Sequence, residues 1–390
     1  MLADDLDRLA ALDPQDAPVL SLYLDTGPDD TGRRTFDLFI RKQLPDRLST
    51  YAAGSDERSS FEADTARIEQ FLADELEPST RGVAIFACHA AGLFEALQLD
   101  VRLENLLVVS DRPHLYPLAR VQDQYPRYAA VLADTNQARI FVFSTGRQEN
   151  EVEVQGQKTK QVKVGGWSQA RYQRHVENFH LQHVKEVVDV LDRVVRDEQI
   201  AHVVLAGDEV VIPLIREQLP KHLEERIVDV VRLDQRTPAH EVLARTLEVL
   251  QEKDAETDEQ VVEELVGEYR RGGLAIVGAE ATLAALKQGQ VDTLVLAASP
   301  DLIADADDLV RHRGDATPAA TITEGLAAME DNAAAAVRNG TPTEQEAPEV
   351  RVAGDLVALA HQTAARLRFI ENPDLLSPFG GVGATLRFAI

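Results

Sequence analysis

A chain of 390 residues, 44% of them hydrophobic, has room for two or three domains with sizeable cores and needs no covalent staples. Its single cysteine, Cys88, excludes an internal disulfide and a cysteine-cluster metal site. A formal charge of −26 excludes a general polyanion binder, so any contact with nucleic acid has to come from a local patch.

Several features bear on where the chain works. Its start, MLADDLDRLAALDP, carries acids where a secretion signal needs a basic and then an apolar region. No apolar run approaches the ~18–20 residues that span a bilayer. The expectation is a cytoplasmic protein without a membrane partner. Eight lysines against 32 arginines suggest a GC-rich or salt-adapted source, and the excess of Asp and Glu is then read as solubility in salt. At ~0.15 M salt the Debye length is about 8 Å, so charge has to be read locally.

Residues 18–25 (PVLSLYLD) and 82–88 (GVAIFAC) are apolar, β-branched and aromatic, and predict strands; helical patterns lie between them, notably Phe61 to Leu76. Pro117 to Pro126, with polar residues between, reads as a linker. YAAVLAD (128–134) and ARIFVFS (138–144) flank the turn-forming Asp134-Thr135-Asn136 and predict a hairpin, with EVEVQ (151–155) as a third strand. After a loop and a long helix come a strand (His202 to Ala206), a helix, a strand (Ile227 to Leu233) and a helix from about Pro238. That alternation predicts a substantially parallel sheet.

A third part starts near Glu264. It holds a helix (Glu280 to Lys287), a buried-type strand (Asp292 to Ala298), a helix (Asp355 to Ala365) and the closing segments FGGVG and ATLRFAI. Residues 299–350, rich in Asp, Ala, Thr, Pro and Glu, interrupt it as an inserted, partly helical or mobile excursion. The fold class is therefore α/β in three domains, 1–124, 125–263 and 264–390.

From Val154 to Val176 there is no acid but five bases, Lys158, Lys160, Lys163, Arg171 and Arg174. In a chain with 66 acids this is the strongest local reversal of composition. Behind the loop, Val176, Phe179, Val187, Val188, Leu191, Val194 and Val195 recur mostly at three- and four-residue steps and mark a helix packed by one face. Arg171, Arg174, His175, Asn178, Gln182 and Lys185 form the opposite stripe. Cations at a helix N-terminus run against the helix dipole, but they suit a site for phosphate. Gly165-Gly166 lets the backbone approach a ligand closely, Gln169 follows at Gly-x-x-Gln spacing, and Trp167 offers a face for a base to stack on. The plainer reading of the same residues is a solvated surface that lacks acids.

Other constellations carry less. His175, His180 and His183 follow one another at intervals of five and three, which do not share one tight face. Solvated or RNA-facing histidines are expected there rather than a zinc site. His361 has no evident partner. FGGVG lacks both the G-x-G-x-x-G pattern and the P-loop lysine, and predicts a turn before the last strand. Ala206-Gly207-Asp208-Glu209 reads as an N-capping Asp with an acidic first turn rather than a catalytic acid pair. There is no Gly-x-Ser-x-Gly elbow.

Taken in order, these segments resemble the class-1 archaeal and eukaryotic peptide-release factors and their relatives, Pelota and bacterial release-factor-type homologues included, over nearly the whole chain. VLSLYLD and GVAIFAC are similar to the family's first domain, and YAAVLADTNQARIFVF with the loop and long helix to its central, ribonuclease-H-like domain. GQVDTLVLA (289–297) and FGGVGATLRFAI (379–390) are similar to its third, ribosomal-protein-like α/β domain, the insertion matching a variable minidomain. The resemblance implies a ribosome-associated factor whose loop enters the peptidyl-transferase region of the A site beside the CCA end of tRNA. It also allows a translational GTPase as a further partner.

In hydrolytic members a Gly-Gly-Gln loop promotes cleavage of the peptidyl-tRNA ester. Here Gly165-Gly166-Trp167-Ser168-Gln169 has two extra residues before the glutamine and resembles the Gly-x-x-Gln loop of a quality-control hydrolase. Gly165, Gly166 and Gln169 would be the catalytic set, with Gln169 positioning water and no metal or cofactor required. Lys158, Lys160, Lys163, Trp167, Arg171, Arg174 and His175 would contact RNA. Without an Asn-Ile-Lys-Ser run or a Tyr-x-Cys-type motif, codon-directed termination is not expected. Ribosome rescue is the first reading. Bacterial relatives with altered loops resemble A-site plugs of hibernating or stressed ribosomes, and a non-catalytic plug is the alternative.

Overall fold

A computed structural model describes residues 2–12, 17–28, 32, 34, 36–155, 169–208, 210–304 and 347–388, without the side chains of 169–178. It is a mixed α/β protein with three sheets. Backbone contacts gather residues 1–123 and 257–390 into one compact unit and 124–256 into another. A helix of 32 residues, Ala239–Arg270, runs through the division, and the boundary expected at 263/264 falls inside it.

In the first unit, β1 (Val19–Asp25), β2 (Gly82–Cys88), β3 (Leu93–Leu99) and β4 (Leu106–Ser110) form an antiparallel sheet in the order β3-β2-β1-β4. Side chains alternate along a strand. Thus Leu20, Leu22 and Leu24 point to one face and are sealed there by Phe36, Ile40 and Leu44 of α2 (Phe36–Leu48) and Phe61, Ile68 and Phe71 of α3 (Asp56–Asp74). Ser55 starts α3 by accepting the Arg58 N–H at 3.1 Å, with Asp56 and Glu57 in the first turn, where the helix dipole favours acids. Ser21 and Tyr23 take the other face: the Tyr23 hydroxyl donates to the His114 carbonyl, and the His114 N–H donates to Ser21 Oγ at 3.0 Å.

The segment expected to be a linker is a helix, α4 (Tyr116–Gln124). Pro117 falls in its first turn, where proline costs no hydrogen bond, and Leu115, Leu118 and Ala119 bury one side. The Tyr116 hydroxyl donates to the Ala297 carbonyl at 2.6 Å and its ring meets Phe369 edge-on at 5.2 Å. Asp123 accepts the Phe369 N–H at 3.0 Å.

Its partner sheet has the order β10-β13-β11-β12, from β10 (Ala275–Val277), β11 (Val291–Ala297), β12 (Arg366–Ile370) and β13 (Val382–Leu386). Strands β11 and β12 are parallel, and β13 is antiparallel to both its neighbours. The turn expected from FGGVG indeed delivers the chain into β13 through Gly380 and Gly381. Alongside pack the long helix through Val262, Leu265 and Val266, α9 (Ala279–Lys287) and α10 (Pro348–Gln362). Helix α1 (Leu2–Ala10) lies on α10, where Gln362 Nε2 donates to the Ala10 carbonyl at 2.7 Å. His361, expected to stand alone, bonds Asp7 at 2.8 Å through Nδ1; the two are 354 residues apart, beyond any local sequence signal.

The second unit is a five-stranded sheet in the order β7-β6-β5-β8-β9, built from β5 (Tyr128–Ala133), β6 (Gln137–Ser144), β7 (Arg147–Gln155), β8 (His202–Gly207) and β9 (Ile227–Val231). The first three strands form an antiparallel meander and β8 and β9 run parallel to β5, the ribonuclease-H-like pattern. The predicted hairpin is present: Asp134 Oδ1 accepts the N–H groups of Asn136 at 2.7 Å and Gln137 at 2.8 Å, an Asx turn. Helices α5 (Gln169–Asp197) and α6 (Val211–Gln218) cover one face, and α7 (Lys221–Glu224) and α8 (Ala239–Arg270) follow. Asp208, two residues ahead of the N-cap Val210, accepts from Val210 at 2.9 Å and Val211 at 2.8 Å and so serves the start of α6, but the acidic first turn expected there is missing from Val211–Gln218. Gly207 before it has φ +154, and any Cβ there would be driven into the Ala133 carbonyl.

Candidate nucleic-acid interface

The acid-free stretch begins at the end of an edge strand and runs into the start of a helix. Strand β7 sends Val152 and Val154 into the core and sets Glu151 and Glu153 on the other side. Its last residue, Gln155, pairs with Gln137 at the hairpin turn. Residues 156–168 lie outside the described residues, and with them Lys158, Lys160, Lys163, Gly165, Gly166 and Trp167. Positions 169, 171, 174 and 175 are helical in the first two turns of α5; the side chains of Gln169, Arg171, Arg174 and His175 are outside the description.

Helix α5 follows that segment in the chain. Val184, Val187, Val188, Leu191, Val194 and Val195 are buried against the sheet, the stripe that three- and four-residue spacing demands. Each such side chain contributes roughly 1.5–3 kcal/mol when fully buried, so this half of the helix is firmly seated. Gln169 lies 14 residues ahead of His183, or about 21 Å along a helix axis. Gln182 and Lys185 are exposed, as the polar stripe requires.

His183 departs from expectation. It is not solvated but 2% exposed, and among the described residues neither ring nitrogen has a partner at full hydrogen-bond geometry. Burial holds its pKa below the usual imidazole value, against the pull of the Gln137 backbone and of Asp134 and Glu186. The reason lies in helix geometry: position 183 precedes Val184, Val187 and Leu191 on the inward side of α5. Among the described residues no group of three or more His, Cys, Asp or Glu side chains could hold a metal ion.

Acids around β7 and α5 are bound up with arginines that the sequence did not single out. Arg127 pairs with Glu149 and, at 2.5 Å, with Glu198. Arg139 pairs with Glu151 at 2.7 Å, donates to the Thr237 carbonyl at 2.9 Å and stacks over the Phe141 ring at 4.6 Å. Asp134 is taken up by the Asx turn. Glu151 of β7 thus has a local partner, while Arg127 holds Glu149 and Glu198 at the ends of β7 and α5 far from the cationic segment. No sequence signal marks Arg127 or Arg139, because their partners are set by strand register.

The chain has these likenesses among known proteins. Residues 113–251 match the family model of bacterial archaeo-eukaryotic release factor family 10. Among solved structures, an archaeal translation termination factor, aRF1, is 16% identical with a TM-score of 0.26, covering 99% of this chain and 97% of that one. Pelota of Archaeoglobus fulgidus is 12% identical with a TM-score of 0.32 over 100% and 93%. Dom34 of S. cerevisiae, a translation termination-like factor, is 10% identical with a TM-score of 0.36 over 77% and 74%. Curated proteins contain no match to the sequence.

Proposed function

We propose that this chain, whose residues 113–251 match the model of bacterial archaeo-eukaryotic release factor family 10, is a ribosome-associated translation factor that hydrolyses the peptidyl-tRNA ester during ribosome rescue, independently of a stop codon. One observation carries this reading: an acid-free, five-cation segment springs from an edge strand and leads into a 29-residue helix seated on the core. That arrangement suits a cationic element presented to RNA phosphates. Gly165 and Gly166 would let the backbone approach the CCA end, and Gln169 would orient the attacking water. Water attacks the ester carbonyl, the tRNA 3′ oxygen leaves with a proton, and the peptide is freed as its acid. Rate would come from positioning and from N–H groups facing the oxyanion. A translational GTPase is the delivery partner the family suggests, and the cytoplasm is the compartment.

A second reading, an A-site plug without catalysis, is favoured by one feature: Gln169 is the first residue of α5 rather than part of a free loop. Purified protein added to stalled ribosome–nascent-chain complexes separates the two. Release of peptide that Gln169→Ala abolishes supports the hydrolase, and tight binding without release supports the plug. If reversing Lys158, Lys160 and Lys163 to Glu leaves binding and its salt dependence untouched, both readings fail.

A further inference from the structure

Helix α5 carries a titratable group that the proposed reaction does not use. His183 is 2% exposed, yet among the described residues its ring nitrogens have no partner at full hydrogen-bond geometry. An aliphatic side chain would continue the buried stripe of Val184, Val187 and Leu191 that it joins. A buried polar group left in this state costs stability, and its presence calls for an explanation.

Its place in the second unit supplies one. The Gln137 backbone lies close enough to act on the ring. Gln137 pairs across the sheet with Gln155, the last residue of β7. Helix α5 packs on β6 and β7. His183 thus stands at the joint of the helix, the hairpin turn and the end of β7. Asp134 faces the ring from the hairpin, and His180 and Glu186 face it from its own helix. Asp134 Oδ1 is already engaged by the N–H groups of Asn136 and Gln137, and Glu186 is exposed to water. A neutral imidazole fits such a site. An imidazolium has two N–H donors and would bury a charge that neither carboxylate bonds.

We propose that His183 is an acid-sensitive latch: neutral, it lets α5 sit on the hairpin; protonated, it frees residues 179–187 of the helix and the turn at 134–137 from each other. The sign follows from burial, which lowers the pKa of the seated ring. The seated form is complete above an ordinary 6.5 and is lost as pH falls below it. That the latch regulates peptide release rests on the function proposed above; the latch itself rests on the joint alone.

Amide hydrogen exchange of the full chain, corrected for the intrinsic rate at each pH, reads the opening directly. Between pH 7.5 and 5.5 the opening of residues 179–187 should rise about fivefold, with about tenfold as the ceiling for an imidazole released to an ordinary 6.5. In His183→Leu and in His183→Gln the rise should vanish, and in His180→Gln it should remain. Melting at pH 7.5 checks each fold, and the apolar and polar replacements stand in for one another if one of them fails to fold. No rise in the wild type, a rise that survives in both His183 variants, or one lost in His180→Gln overturns the proposal. Peptide release from stalled ribosome–nascent-chain complexes, taken as the ratio of wild type to His183→Leu, should fall several-fold over the same pH range. A flat ratio overturns the link to the reaction. A wild type that neither binds ribosomes nor releases peptide, with the exchange response intact, removes the function proposed above and leaves the latch standing.

Discussion

Gly354 occupies the interior of α10, where glycine costs a helix about 1 kcal/mol relative to alanine. The structure shows why a side chain is excluded: a Cβ there would stand 2.5 Å from His114 Nδ1. That ring cannot swing away, being 3% exposed, stacked on Tyr116 at 6.4 Å and edge-on to Tyr23 at 6.5 Å. Gly354→Ala should therefore gain about 1 kcal/mol of helix propensity and lose about 1–3 kcal/mol to overpacking, a net destabilisation of up to about 2 kcal/mol. In a His114→Ala background the clash is gone, and the same substitution should stabilise by up to about 1 kcal/mol. Denaturant titration of the wild type, both single variants and the double variant gives the four corners of the cycle, whose coupling should be about 1–3 kcal/mol. Gly354→Ala costing the same in both backgrounds would refute the reasoning.

His114 also predicts a pH dependence. Burial holds its pKa down at about 4 against an ordinary 6.5, so the unfolded chain takes up the proton first. Its contribution is complete above pH 6.5 and fades as pH falls toward 4, by roughly 3 kcal/mol in all. Asp64 runs the other way: burial raises it from 3.8 to about 6, and it favours folding more as pH falls through that window. The difference in stability between wild type and His114→Gln should thus shrink on acidification, whereas that between wild type and Asp64→Asn should move oppositely; flat differences from pH 7 to 4 would count against both assignments. Gly207→Ala, blocked by the Ala133 carbonyl and a φ of +154, should cost more than 2 kcal/mol in urea titration, and a cost under 0.5 kcal/mol would contradict it. His183→Leu should stabilise the second unit by about 1–3 kcal/mol by removing buried ring nitrogens that lack a well-placed partner among the described residues, read as a higher Tm; a lower Tm would mean that the imidazole is held, through the Gln137 backbone or otherwise.

What the sequence determined by itself was local. Apolar runs marked β1, β2, β5 and β8, three- and four-residue spacing marked the buried stripe of α5, Asp134 and Asp208 announced a turn and a helix start, and the missing acids marked residues 154–176. These signals sit within a few residues of one another, where backbone geometry alone links them. Tertiary structure decided the rest. Helix α4 looked like a linker because its partners, Ala297 and Phe369, lie far along the chain; β10 is three residues long and β12 is broken by Arg366 and Arg368, too little for a strand signal without β11 and β13 beside them. The burial of His183, the pairing of His361 with Asp7 and the binding of Glu149 and Glu151 by Arg127 and Arg139 follow from register and packing. Whether a polar side chain faces water or core depends on which distant segment closes over it, and that is settled only when the chain has folded.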